Sequence, residues 1–154
     1  MAPGSFVTGE VTIGEGTGIW NGAVIRGDDD SVEIGARATM LENCIVEAPM
    51  GNPVKIGEDV IVSHGAIVHG ATISDKALVG IGTIVLDGAT VGEGSIIGAG
   101  AVVPPGAVIP PNTLALGIPA KPVREVRASE VEQVAKERQR LVAKIEKYKK
   151  LYAE

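Results

Sequence analysis

Residues 73–109 read ISDKALVGIGTIVLDGATVGEGSIIGAGAVVPPGAVI. An aliphatic residue returns at every sixth position: Ile73, Val79, Val85, Val91, Ile97, Val103 and Ile109. A helix needs spacings of three and four, and a strand needs alternation. A strict six satisfies neither as a long element. It fits a short flat side of about six residues closed by a turn, with three sides making a triangular coil of about 18 residues. Such coils stack at the strand spacing of roughly 4.8 Å, with backbone hydrogen bonds running from coil to coil. A sandwich of short strands is the alternative, but sandwiches do not hold one period through so many consecutive units.

The same period runs earlier, through Val7, Ile13, Ile19 and Ile25, then Ile34, Met40 and Val46, then Ile56, Val62 and Val68. A glycine often follows the aliphatic residue, as at Gly14, Gly35, Gly57, Gly80, Gly92 and Gly98. The phase breaks three times. About three extra residues lie within Arg26–Ser31, about four lie around Pro49–Asn52, and one residue is missing between Val68 and Ile73. Insertions in a solenoid go to corners, where sites are built. Asp29 and Asp30 are read as a solvated corner loop.

Composition agrees. Hydrophobic residues make up 45% of the chain but aromatics only 3%, and there are 21 glycines. Small branched side chains suit a narrow, regular interior. The repeat ends near Leu116–Pro122, which predicts a β-helix over residues 1–122. Residues 123–154 are read as a linker and a C-terminal helix. Ser129 with Glu132 predicts its capping box. Val131, Val134, Leu141, Ile145, Tyr148 and Tyr152 keep mostly helical spacing, and the stripe of Val134, Leu141, Ile145 and Tyr148 is expected to pack along the coil. The lysines and arginines of the other faces read as a solvated surface. A net charge of −5 argues against nucleic acid as a partner. No stretch is long and apolar enough to span a bilayer. Cys44 is the single cysteine and excludes an intrachain disulfide. No signal peptide is read at Met1–Val7, and a cytoplasmic location is expected.

The chain has two histidines, His64 and His69, in the run IVSHGAIVHGATI. Two within five positions, and none elsewhere, point to a metal. Glu47 follows Val46 as His69 follows Val68. With the insertion removed, the two are one coil apart and should stack at strand spacing. His64 belongs to the preceding hexad, on another side of the triangle, about 15–20 Å away at strand rise. If all three groups meet, a second subunit must bring its His64. A head-to-tail contact of this kind closes as a ring, most naturally a trimer on a triangular prism.

The runs GIWNGAVIRGDDDSVEIG, VKIGEDVIVSHGAIVHGATI, VGIGTIVLDGATVGEGSIIGAGAVV and LALGIPAKPVREV resemble the γ-class carbonic anhydrase-like proteins over about residues 5–126. The resemblance implies an all-β solenoid, a left-handed parallel β-helix of hexapeptide repeats with a C-terminal α-helix. It also implies a homotrimer with zinc, or iron or cobalt, at each subunit interface. The implied activity is reversible hydration of carbon dioxide, a small-molecule substrate, by metal-bound hydroxide. Residue by residue, His64 and His69 match two of three histidine ligands, with His64 donated across the interface. Arg26 and Asp28 match the arginine and aspartate that pair across that interface and orient the site.

The chain departs from the family pattern. Glu47 stands at the first histidine ligand. Leu41 stands where a glutamine would contact the activated water. Glu42 replaces an aspartate and joins Arg26 and Asp28 as the third candidate catalytic residue. The loop Ala48–Pro53 carries no carboxylate to shuttle protons. Two histidines with a glutamate remain a catalytic zinc set. A carboxylate ligand lowers the metal's effective charge and leaves the water less acidic than three imidazoles would, which implies slow turnover. Two other readings stay open: a non-catalytic interaction trimer with a degenerate site, and an acyltransferase using a coenzyme A thioester, whose repeat domains end in runs like GIPAKPVR. Fold alone does not separate the three.

Overall fold

The structure, a computed structural model, describes residues 1–152. The six-residue period becomes short parallel strands of mostly two or three residues, each followed by a turn. Successive coils stack in register to form a triangular prism. On one side Gly18 pairs with Thr39, Thr39 with Ile61, Ile61 with Leu78 and Leu78 with Ile96. The widening at the second and third coils and the one-residue shortening at the fourth are the three phase breaks of the sequence.

The inward residue of each strand is the aliphatic one. Ile25, Val46, Val68, Val85 and Val103 are all fully buried in one column. Two residues before them stand Ala23, Cys44, Ala66, Thr83 and Ala101, also buried. Only small side chains fit where the coil bends inside a corner. The turns themselves use left-handed backbone. Gly65 has φ 65° there, and the equivalent residue one coil earlier is Asn43 at φ 59°, a residue type that tolerates this region.

The insertion at Arg26–Ser31 differs from the corner loop expected of it. Val24–Ile34 is one continuous strand that turns the corner and pairs with Phe6–Ile13. It therefore joins two sides of the prism into one ten-stranded sheet. The close approach depends on Gly27: a Cβ there would lie 2.4 Å from the Glu10 carbonyl oxygen. Asp29 is exposed and Asp30 half-buried along this strand.

At the far end Lys121–Glu125 folds back antiparallel on Thr113–Leu116, across the boundary expected at residue 122, and covers an otherwise open strand edge. Helix α1 (Ala128–Leu151) follows. Its start lies earlier than Ser129: Arg127 is the N-cap, and the Glu130 carboxylate accepts from the Arg127 N–H at 2.8 Å. The Arg124 guanidinium donates to both oxygens of Glu130 and, with the Arg127 N–H, holds its carboxyl down to about 2. That fork anchors Glu130, so the box forms there and not at Glu132. No helix among the described residues is long and apolar enough to cross a membrane.

The helix lies over the third side of the prism. Leu141, 3% exposed, packs with Trp20, Leu41 and Ile61, flanked by Val134, Ile145 and Tyr148. Val131 stays exposed. Removing a fully packed Leu costs the lost transfer energy plus the cavity, about 2–5 kcal/mol. Leu141→Ala is expected to lower stability by that amount in urea unfolding and to shift the emission of Trp20, the only tryptophan, to the red. Val131→Ala should stay within about 0.5 kcal/mol of the parent.

Candidate functional site

Two corners of the prism carry the candidate residues. At the first, Arg26 stands opposite Glu47, and Glu47 opposite His69, on three consecutive coils. Parallel pairing puts their side chains in one column, because equal positions on adjacent strands point the same way. Arg26 Nη1 donates to Glu47 Oε1 at 3.2 Å, and its Nε donates to Asp28 Oδ2 at 3.1 Å. Asp28 and then Glu47 raise the guanidinium further above its ordinary range. His69 Nδ1 pairs with Asp87 Oδ1.

At the second corner, His64 sits in the turn between Ile61–Val62 and Ile67–His69. Its Nδ1 lies 2.7 Å from Glu42 Oε2, on the preceding coil. That oxygen is buried and has no aligned hydrogen bond, so the contact is one of proximity. Glu137 of α1 lies near this corner. Its carboxyl is held below the usual range chiefly by Arg140, with a smaller contribution from His64.

One flat side separates the corners. Its outward column, Val24, Ile45, Ile67, Ile84 and Val102, is aliphatic throughout and in register. Within one chain, among the described residues, no three His, Cys, Asp or Glu side chains gather to hold a metal. His69 and Glu47 come together; His64 does not join them.

Three findings go beyond the sequence reading. Asp87 was not singled out. His69 is 18 residues before it, one regular coil, which was the available signal, although the one-residue slip puts Leu86 and not Asp87 in line with the His69 strand. Leu41 is buried under α1 against Leu141, so in this chain its apolar character serves the helix contact. Cys44 is fully buried, and desolvation pushes its thiol up to about 12, which removes it as a nucleophile or ligand.

Residues 70–105 match the bacterial transferase hexapeptide family, described as six repeats. A carbonic anhydrase of Geobacillus kaustophilus is 47% identical over 94% of this chain and 80% of its own length. A protein of Methanocaldococcus jannaschii described as a probable carbonic anhydrase is 44% identical, over 87% of this chain and 84% of its own. A crystal structure from Bacillus cereus, provisionally described as an acetyltransferase, superposes with a TM-score of 0.96 at 42% identity, covering 97% of this chain and 87% of that one.

Proposed function

The chain belongs to the γ carbonic anhydrase-like family of hexapeptide-repeat proteins, and from that membership we propose that it is a metal-dependent lyase hydrating carbon dioxide in a homotrimer. His69 and Glu47 of one chain and His64 of the next hold the metal, zinc or, with the same donor set, iron or cobalt.

The observation that carries the proposal is the pairing of each histidine with a carboxylate of its own chain, His64 with Glu42 and His69 with Asp87. At His69 the Asp87 carboxylate bonds Nδ1, fixes the tautomer and leaves Nε2 as the basic nitrogen for a metal, the usual second partner of a metal-ligating histidine; at His64 the Glu42 carboxylate stands beside Nδ1 without an aligned bond. Two imidazoles and a carboxylate complete a known catalytic zinc set. The aliphatic side between the two corners supports the trimer. Packed around a threefold axis, three such sides bury their Ile and Val columns, and each His69 corner meets a His64 corner of the next chain.

A zinc ion bound there would supply the Lewis acidity that lets water attack carbon dioxide near neutral pH. The protein's own residues do the rest. Asp87 orients the His69 ring, and Glu42 stands beside His64. Arg26 bonds Glu47 and so draws off part of the charge that Glu47 brings to the donor set. Asp28 holds the Arg26 guanidinium in place for that contact. The residual charge of Glu47 makes hydration slower than three imidazoles would allow.

The test is zinc affinity by chelator competition, together with hydration followed by a pH indicator. The loaded protein should hydrate carbon dioxide with a rate that tracks zinc content. Asp87→Asn should bind zinc about tenfold more weakly while the far-ultraviolet spectrum stays unchanged. Full zinc occupancy without hydration would overturn the catalytic reading, and no zinc binding would overturn the site.

A further inference from the structure

Asp87 does not stand in line with His69. Ile67 pairs with Ile84 and Val68 with Val85, so Leu86 is opposite His69 on the next coil and Asp87 is opposite Gly70. To meet His69 Nδ1, the Asp87 carboxylate reaches diagonally across Gly70. The space it crosses is narrow. A Cβ on Gly70 would lie 2.9 Å from Asp87 Oδ1, 2.8 Å from Asn52 Cβ and 3.3 Å from Pro49 Cδ. The carboxylate from the next coil and the loop inserted in the preceding one therefore share the space that a side chain would fill.

The backbone of Gly70 is pinned. Its N–H donates to the Glu47 carbonyl at 2.9 Å, and its carbonyl accepts from the Gly88 N–H at 2.7 Å. These bonds belong to the ladder that stacks the coils. The Asp87 carboxylate is the far end of a flexible side chain, and Pro49–Asn52 are half-buried or exposed. Under crowding, these two move and the coil does not. Backbone conformation does not explain the glycine. Gly70 has φ 59°, and at other corners this chain gives the same angle to Asn43 and Lys76.

We infer that Gly70 is a positioning residue of the His69 corner: its missing side chain is the passage through which Asp87 reaches the ring and sets its tautomer. A methyl group there displaces the carboxylate from Nδ1. The proposed function enters only through the consequence, a metal held more weakly because His69 has lost its outer partner.

The experiment compares Gly70→Ala with Gly106→Ala in the full chain. Gly106 lies at the same corner of a later coil with φ 69°, and a Cβ there would meet nothing within 4 Å. It therefore carries the same left-handed cost for an L residue without the crowding. The first readout is the His69 tautomer in metal-free protein, from the side-chain nitrogen resonances. The parent and Gly106→Ala should hold the proton on Nδ1, and Gly70→Ala should lose that preference. The second readout is zinc affinity by chelator competition. Gly70→Ala should bind about threefold to tenfold more weakly, the upper bound being the loss of the outer partner itself. Adding Asp87→Asn to Gly70→Ala should cost no more than Asp87→Asn alone, because both act through one contact. Should Gly70→Ala unsettle the coil, Gly70→Asn places a Cβ there with a residue type that this chain already accepts at φ 59°. An unchanged tautomer in the Gly70 variants would overturn the inference, as would the same change in Gly106→Ala or additive losses with Asp87→Asn. A parent that binds no zinc would overturn the proposed function and leave the tautomer to decide the role of Gly70.

Discussion

Chains carrying His64→Ala and chains carrying His69→Ala should each fail to hold zinc, and co-assembly of the two should restore it. Each variant lacks one imidazole at every site. The remaining imidazole and carboxylate hold zinc weakly, so affinity should fall by more than about 100-fold, beyond the loss caused by removing an outer partner. Both positions lie at corners, and neither side chain belongs to the packed core, so the coil should fold in both. In a mixed trimer, one contact joins an intact His69 corner to an intact His64 corner. Every mixed trimer has one complete site in three, so about a third of the sites should return in trimers selected to contain both variants. The measurement is zinc content of co-expressed, doubly tagged trimers after dialysis against a weak chelator. Mixed trimers with no more zinc than the single variants would show that His64 and His69 do not serve a shared site. Undiminished zinc in either single variant would show the same.

Glu47→His should raise carbon dioxide hydration in the zinc-loaded protein. Glu47 brings a full negative charge to the donor set, and Arg26, 3.2 Å away and well exposed, offsets it only in part. Replacing the carboxylate with a neutral imidazole leaves the metal more electrophilic. The water it activates then loses its proton at lower pH. The sign is fixed by charge: with Glu47 the midpoint of the rate profile lies higher, and without it lower. A downward shift of about one pH unit, and about a tenfold gain at neutral pH, is the expected size. Glu47→Gln controls for the loss of charge alone. It should weaken zinc binding, because a neutral amide is a poor zinc ligand, and give no gain in rate. The comparison is rate against pH for all three proteins at equal zinc occupancy. No gain in Glu47→His would show that the carboxylate is not what limits the rate, and would favour a non-catalytic trimer. Leu41 would not then explain the deficit, since it packs beneath α1 in this chain.

The period of six by itself determined the solenoid, because no other backbone arrangement needs an aliphatic residue at every sixth position. The same count put Glu47 beside His69, since stacked coils turn sequence spacing directly into spatial neighbours. It also located the three phase breaks. It did not reveal the form of the first one: Arg26–Ser31 became a strand because Gly27 lets the backbone approach Glu10 closely, and that contact joins residues far apart in sequence. The helix start moved from Ser129 to Arg127 because Arg124, on the returning strand, anchors Glu130. Local capping preference carries no knowledge of that strand. Asp87 as the partner of His69, reached across Gly70, was likewise decided only by tertiary packing. It depends on side chains brought together from different coils, and a one-residue slip is enough to change which of them meet.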